Sequence, residues 1–214
     1  ALKKLMHRPV VYPPAPAGRI LYAVGDIHGR ADLLRRAFDR IDRDHAECAQ
    51  EGEKTEIYLG DYVDRGPNSA AVLDLLIERS KVAETVFLRG NHEQVMLSFL
   101  SGGTTIEEWA SLGGLPTLQS YGLSLRGEDL AKAETAAWAA IPHQHKQFLS
   151  RTHSYCRFGH YVFVHAGLRA GVPLEAQRES DLFWIREDFL HSPSDFGAVV
   201  VHGHTPVPQV DFQP

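Results

Sequence analysis

Apolar and polar positions fall into a repeating block pattern over the first hundred residues. Three short apolar runs, RILYAV (19–24), TEIYL (55–59) and TVFLR (85–89), each end in a glycine-led polar string: GDIHG (25–29), GDYVDRG (60–66) and GNHE (90–93). After each string the spacing of apolar residues changes from strand-like to helical. DLLRRAFDRI (32–41) places Leu33, Leu34, Ala37, Phe38 and Ile41 along one helix face, and PNSAAVLDLLIER (67–79) opens on Pro67 before a run containing Val72, Leu73, Leu75, Leu76 and Ile77. EQVMLSFL (93–100) begins a third helix inside the third string. Strand, loop and helix three times over predict an α/β architecture with helices covering a sheet.

Beyond residue 100 the glycine pairs 102–103 and 113–114, and Gly122, chop the chain into short pieces. Helical segments are predicted near 105–111, 114–120, 127–140 and 143–150, forming a small helical cap inserted over about 101–152. Trp109, Leu112, Leu115, Leu118 and Tyr121 are read as its internal packing. Strand character returns at 154–158 and 161–165, where YVFV leads into His165-Ala166-Gly167, and at 198–202, where AVVVH leads into Gly203-His204. The opening segment 1–18, with Pro13, Pro14, Pro16 and Gly18, reads as an arm, and 19–214 as one catalytic domain.

Composition narrows the options without choosing among them. The 214 residues are 43% hydrophobic, enough for one sizeable core, and the net charge of −5 offers no nucleic-acid footprint. No apolar run approaches a membrane span and the basic start lacks a signal-type apolar region, so no membrane partner and a cytoplasmic location are expected. Cys48 and Cys156 have no ligand spacing and read as reduced, buried thiols.

The chemistry sits in the strings. Ligands bind beyond the carboxyl ends of strands in open α/β sheets, and Asp26, His28, Asp61, Asp64, Asn91, His92 and Glu93 all fall there. They are the oxygen and imidazole donors that suit a pair of divalent ions. Asp61, at the second tip, suits a bridging carboxylate between two metals. Asp26 and His28, two apart in an extended tip, would face one side and grip one ion, while Asn91, His165 and His204 would complete the other. His92 then points to the substrate as a general acid, oriented by Asp64 as a carboxylate orients an imidazole in a triad. Arg65 and Arg186 would hold phosphoryl oxygens, with Asn91 nearby. The implied reaction is in-line attack of a two-metal-bound hydroxide on a phosphoester. His202, two residues before His204, could ligate or support the site from behind. Trp184 is read as core rather than pocket wall, and His143, His145, His153, His160 and His191 as surface or loop residues.

Taken in order, GDIHG, GDYVDRG, GNHE, His165-Ala166-Gly167 and Gly203-His204 resemble the phosphoprotein phosphatase family of calcineurin-like metallophosphoesterases. DYVDRGPNS and the LFWIRED that precedes GHTP look like its bacterial and phage serine/threonine phosphatase branch. The resemblance covers roughly residues 19–208. It implies a four-layer sandwich of two mixed sheets flanked by helices, with two C-terminal strands missing from this chain. It implies a binuclear centre, with Mn²⁺ first and Fe, Zn²⁺ or Mg²⁺ as alternatives, on Asp26, His28, Asp61, Asn91, His165 and His204. His92 and Asp64 would be the acid pair. The expected substrate is a phosphorylated protein or peptide, and the product inorganic phosphate. Two other functions stand beside it: a symmetrical diadenosine tetraphosphate hydrolase of the same fold, and a non-catalytic metal-binding regulatory module, which the intact His92–Asp64 pair disfavours.

Overall fold

The computed structural model describes residues 12–48, 52–124 and 132–212. The first sheet is built from β1 (Arg19–Val24), β2 (Glu53–Tyr58) and β3 (Glu84–Phe87), in that order and wholly parallel, with Arg19 opposite Glu53 and Thr55 opposite Glu84. Crossovers α1 (Ala31–Glu47) and α2 (Ser69–Arg79) join them, and α3 (Asn91–Leu100) follows β3. Four short helices come next: α4 (Ile106–Ser111), α5 (Leu115–Ser120), α6 (Ala133–Ala140) and α7 (His143–Ser150). The second sheet is the mixed one. β4 (Tyr155–Phe158) and β5 (Tyr161–Val164) form an antiparallel hairpin, and β6 (Val199–Val201) lies parallel to β5 after α8 (Glu179–Trp184) and α9 (Glu187–Leu190).

Period-2 alternation explains the layering. On β2, Ile57 faces the second sheet, where it joins Leu59, Leu88 and Phe163, while Tyr58 faces the helices and joins Leu73, Leu76 and Met96. On β5, Phe163 faces the first sheet, and Val162 and Val164 pack on Leu182 and Phe183 of α8. Helices, sheet, sheet and helices therefore make four layers. Because β2 is covered on both faces, its residues 55–58 are fully buried, and the one charged side chain among them needs partners. Glu56 takes the guanidinium of Arg79 and the hydroxyl of Tyr58.

Element boundaries moved where apolar periodicity was silent. α1 runs to Glu47 rather than Ile41 because its last turn and a half, DRDHAE, is polar and solvent-facing. The helix expected over 127–140 is present from Ala133, its earlier part lying outside the described residues. His145 is not a surface residue: it is 3% exposed, bonded to Asp74 Oδ1 at 2.9 Å and to the Tyr121 hydroxyl at 2.8 Å, tying α7 to α2 and the end of α5. No helix among the described residues is long and apolar enough to cross a membrane.

Candidate metal centre

Five strand ends meet at one rim: those of β1, β2 and β3 from the first sheet, and of β5 and β6 from the second. The loops fit because their backbones nearly touch. Gly60 sits at φ 102°, and a Cβ there would lie 2.5 Å from the amide of Gly90. The carbonyl of Asp61 accepts the amides of Ile27 (2.9 Å) and His28 (2.8 Å), and Tyr62 accepts Gly29. Glu93, fully buried, finishes the stitching: its carboxylate accepts the amides of Gly90, Asp61, Tyr62 and Val63 at 2.8–3.2 Å. Glu93 is thus consumed by the loop and left with no role as a ligand. Among the described residues, the non-glycine positions with positive φ are His28, Asp61, Asp64, Arg65 and His204, every one a predicted site residue. Left-handed backbone costs about 1 kcal/mol or more at such residues and persists where surrounding structure imposes it, which is common at functional sites.

The carboxylate of Asp61 is 1% exposed and its two oxygens face different partners. Oδ2 lies 3.5 Å from His28 Nε2 and 3.9 Å from His92 Nε2, while Oδ1 lies 3.4 Å from His165 Nε2 and accepts the His92 amide. Among the described residues, two groups capable of holding a metal ion result, His28–Asp61–His92 and Asp61–His165–His204. Asn91 belongs to the second, its Oδ1 being 3.0 Å from His165 Nε2 and 3.1 Å from His204 Nδ1. The backbone at Asp26 and His28 departs from the extended tip that the spacing suggested. With His28 at φ 43° the tip is not extended, and Asp26 Oδ1 accepts the His204 amide at 3.1 Å.

The donor chemistry fits a cation. His165 Nδ1 and His28 Nδ1 lie 2.8 and 2.9 Å from the carbonyls of Leu59 and Val63, so each donates there and turns its Nε2 lone pair inward, the outer-sphere arrangement that metal-bound histidines use. His165 Nε2, Asn91 Oδ1 and Asp61 Oδ1 then converge as acceptors facing acceptors, and His204 Nε2 is buried without a hydrogen-bond partner among the described residues. Burial holds His165 down to about 4 and His204 to about 3, so both rings are neutral. Burial, then the charges of Glu93 and Asp26, push the Asp61 carboxyl well above the usual carboxylate range. Neutral imidazoles around a carboxylate short of positive charge are what a divalent ion corrects.

Beside Asp61 stands the acid pair. His92, fully buried, sets Nδ1 2.8 Å from Asp64 Oδ2 and Nε2 3.0 Å from the Arg65 guanidinium, whose other arm reaches His28 Nε2 at 2.9 Å. Arg65 lies in a left-handed turn before α2, its amide bonded to the Gly113 carbonyl. Arg186, ahead of α9, is exposed and close enough to His204 to help lower its pKa. Trp184 is 38% exposed rather than core; its indole donates to Gln94 Oε1 at 2.7 Å, which pulls the ring out to the rim beside α3. His202 is half-buried, edge-on to Phe189, and outside both donor groups. Sequence reasoning passed over two residues. Trp109 and Thr117 both bond the Asp64 carboxylate, and an indole or hydroxyl in apolar helical spacing carries no signal of a distant partner.

The chain matches the calcineurin-like phosphoesterase family over residues 21–214. It belongs to that family. It is 34% identical over 149 residues to a symmetrical bis(5'-nucleosyl)-tetraphosphatase of Dechloromonas aromatica, covering 69% of this chain and 43% of that protein. It is 29% identical over 196 residues to serine/threonine-protein phosphatase 1 of Salmonella typhimurium, covering 88% of this chain and 80% of that protein. The chain thus spans less than half the length of the tetraphosphatase. In fold it is similar to a crystal structure provisionally assigned as a diadenosine tetraphosphatase, with TM-score 0.55 and 21% identity over 89% of this chain and 77% of the other.

Proposed function

We propose that the chain is a metal-dependent phosphomonoester hydrolase that acts on phosphoserine and phosphothreonine in proteins or peptides and releases inorganic phosphate. The division of the Asp61 carboxylate between two donor groups carries this reading. Asp26, His28 and Asp61 would hold one divalent ion, and Asp61, Asn91, His165 and His204 the other. Mixed nitrogen and oxygen donors suit Mn²⁺, and also Fe, Zn²⁺ or Mg²⁺ as availability decides. Such a pair supplies an activated water at neutral pH and offsets phosphoryl charge. Arg65 and Arg186 bind the remaining phosphoryl oxygens, Arg65 by swinging its guanidinium from the two imidazoles onto the substrate. With its Nδ1–H held by Asp64, His92 in its doubly protonated form gives the Nε2 proton to the departing ester oxygen as the P–O bond breaks, so serine leaves as the neutral alcohol and the ring is left neutral.

The serine/threonine reading is supported by the long alignment with the Salmonella phosphatase. A second reading, cleavage of dinucleoside tetraphosphates, is favoured by the higher identity to the Dechloromonas relative. Turnover of a phosphoserine peptide, p-nitrophenyl phosphate and diadenosine tetraphosphate, each with Mn²⁺, separates them. The peptide is expected to have the highest kcat/KM among the natural substrates; a dinucleotide turned over far faster would transfer the assignment to the second reading.

A further inference from the structure

The helices between Leu100 and β4 do more than pack against α2 and α3. Asp64 is fully buried, and two of its partners come from this segment: Trp109 of α4 and Thr117 of α5. Trp109 Nε1 lies 2.9 Å from Oδ2 and 3.1 Å from Oδ1, Thr117 Oγ1 lies 2.7 Å from Oδ1, and His92 Nδ1 takes Oδ2 at 2.8 Å.

Counting protons fixes the direction of every bond around Thr117. Its Oγ1 is 2.8 Å from the Asp64 amide, which can only donate. Its one hydrogen goes to the Asp64 carboxylate, the strongest acceptor within reach, so the Ser69 hydroxyl 2.9 Å away must donate to it. Thr117 Oγ1 is thereby saturated, and it grips both the backbone and the side chain of Asp64, a residue held at φ 70°. Gly114, against the Trp109 indole, and Gly113, accepting the Arg65 amide, seat the same helices on the GDYVDRG turn. A carboxylate gripped this way cannot rotate. It presents Oδ2 to one ring nitrogen of His92 and leaves Nε2 aimed at the site.

We propose that Thr117 and Trp109 are positioning residues that act through Asp64 to hold His92 as the proton donor to the leaving group. The proposal rests on the hydrolase reading given above, with His92 as the acid. Proton donation matters most when the leaving oxygen is a poor one, so the readout is a ratio of rates on two esters, in which any loss of folded protein cancels. Thr117→Val keeps the shape and removes the hydroxyl. Trp109→Phe keeps an aromatic ring against Phe99, 4.9 Å away centroid to centroid, and removes the N–H.

The expected result is that each variant lowers kcat on a phosphoserine peptide by about tenfold or more, part of the full effect of a general acid, and changes kcat on p-nitrophenyl phosphate by no more than about threefold. KM should hold for both esters, and Thr117→Ser should restore the ratio. Equal losses on both esters, or no loss on either, would overturn the positioning role. His92→Asn is run alongside. If it shows the ester split and the Thr117 and Trp109 variants do not, the positioning inference alone fails; if it shows no split, the acid assignment beneath it fails.

Discussion

On one side of Asp61 the neighbours are His165, His204 and Asn91, and there His165 Nε2, Asn91 Oδ1 and Asp61 Oδ1 crowd together as acceptors. On the other are His28, His92, Arg65 and Asp64, where each acceptor already meets a donor. The first side joins the two sheets: His165 and His204 follow β5 and β6, while Asn91 follows β3 and the Leu59 carbonyl, just past β2, holds His165. The second is anchored by turns and helices of the first half, with a reach from α4 and α5. Crowded buried acceptors gain from a cation, whereas a paired cluster can exchange partners when a phosphoryl group arrives. One side is built to keep something and the other to let go.

The largest effect should come from the residue the two sides share. Asp61→Asn is expected to abolish metal binding on both sides and to lower kcat/KM by at least about 10³-fold, beyond the roughly 10–100-fold typical of groups that only orient ligands. Metal content by elemental analysis checks it against His92→Asn, which should retain both ions. A variant of His92 that lost an ion would make that residue a ligand and dissolve the contrast.

A smaller, pH-dependent effect should distinguish the acceptor side in metal-free protein. His165 and His204 have folded pKa values lowered to about 4 and about 3 by burial. The unfolded chain therefore binds protons at these rings that the folded chain refuses. Stability from this source is fully present above about pH 6.5, is lost progressively as pH falls below it, and levels off below the folded values. Thermal midpoints measured in chelator should fall over that window, and His165→Asn should flatten the slope. A slope unchanged in that variant would place the loss elsewhere.

The smallest effect belongs to the exposed rim. Arg186→Ala should raise KM by about tenfold with kcat within about threefold, the size of one charged hydrogen bond. An equal fall in kcat and kcat/KM would instead mean that Arg186 acts on the transition state alone.

Most of this layout was legible in the chain. The three strand–string–helix units appear where periodicity puts them, because each strand carries a short apolar run and the helix after it an apolar face. What periodicity missed lies where apolar spacing carries no signal. The polar end of α1 has no apolar residues to count, and the buried His145 and the outward ring of Trp184 are decided by partners far along the chain, Asp74 and Gln94. The extended backbone expected at Asp26 and His28 is instead a turn, with His28 left-handed and Asp26 Oδ1 accepting the His204 amide.

By itself, then, the sequence determined the strand ends and the kinds of donor they carry, since both follow from local spacing and residue chemistry. Tertiary structure alone decided which oxygen of Asp61 faces which cluster, that Glu93 is spent on four backbone amides, and that Trp109 and Thr117 close on Asp64. Those outcomes depend on hydrogen bonds between segments tens of residues apart, and such bonds are directional only once the backbones are in place.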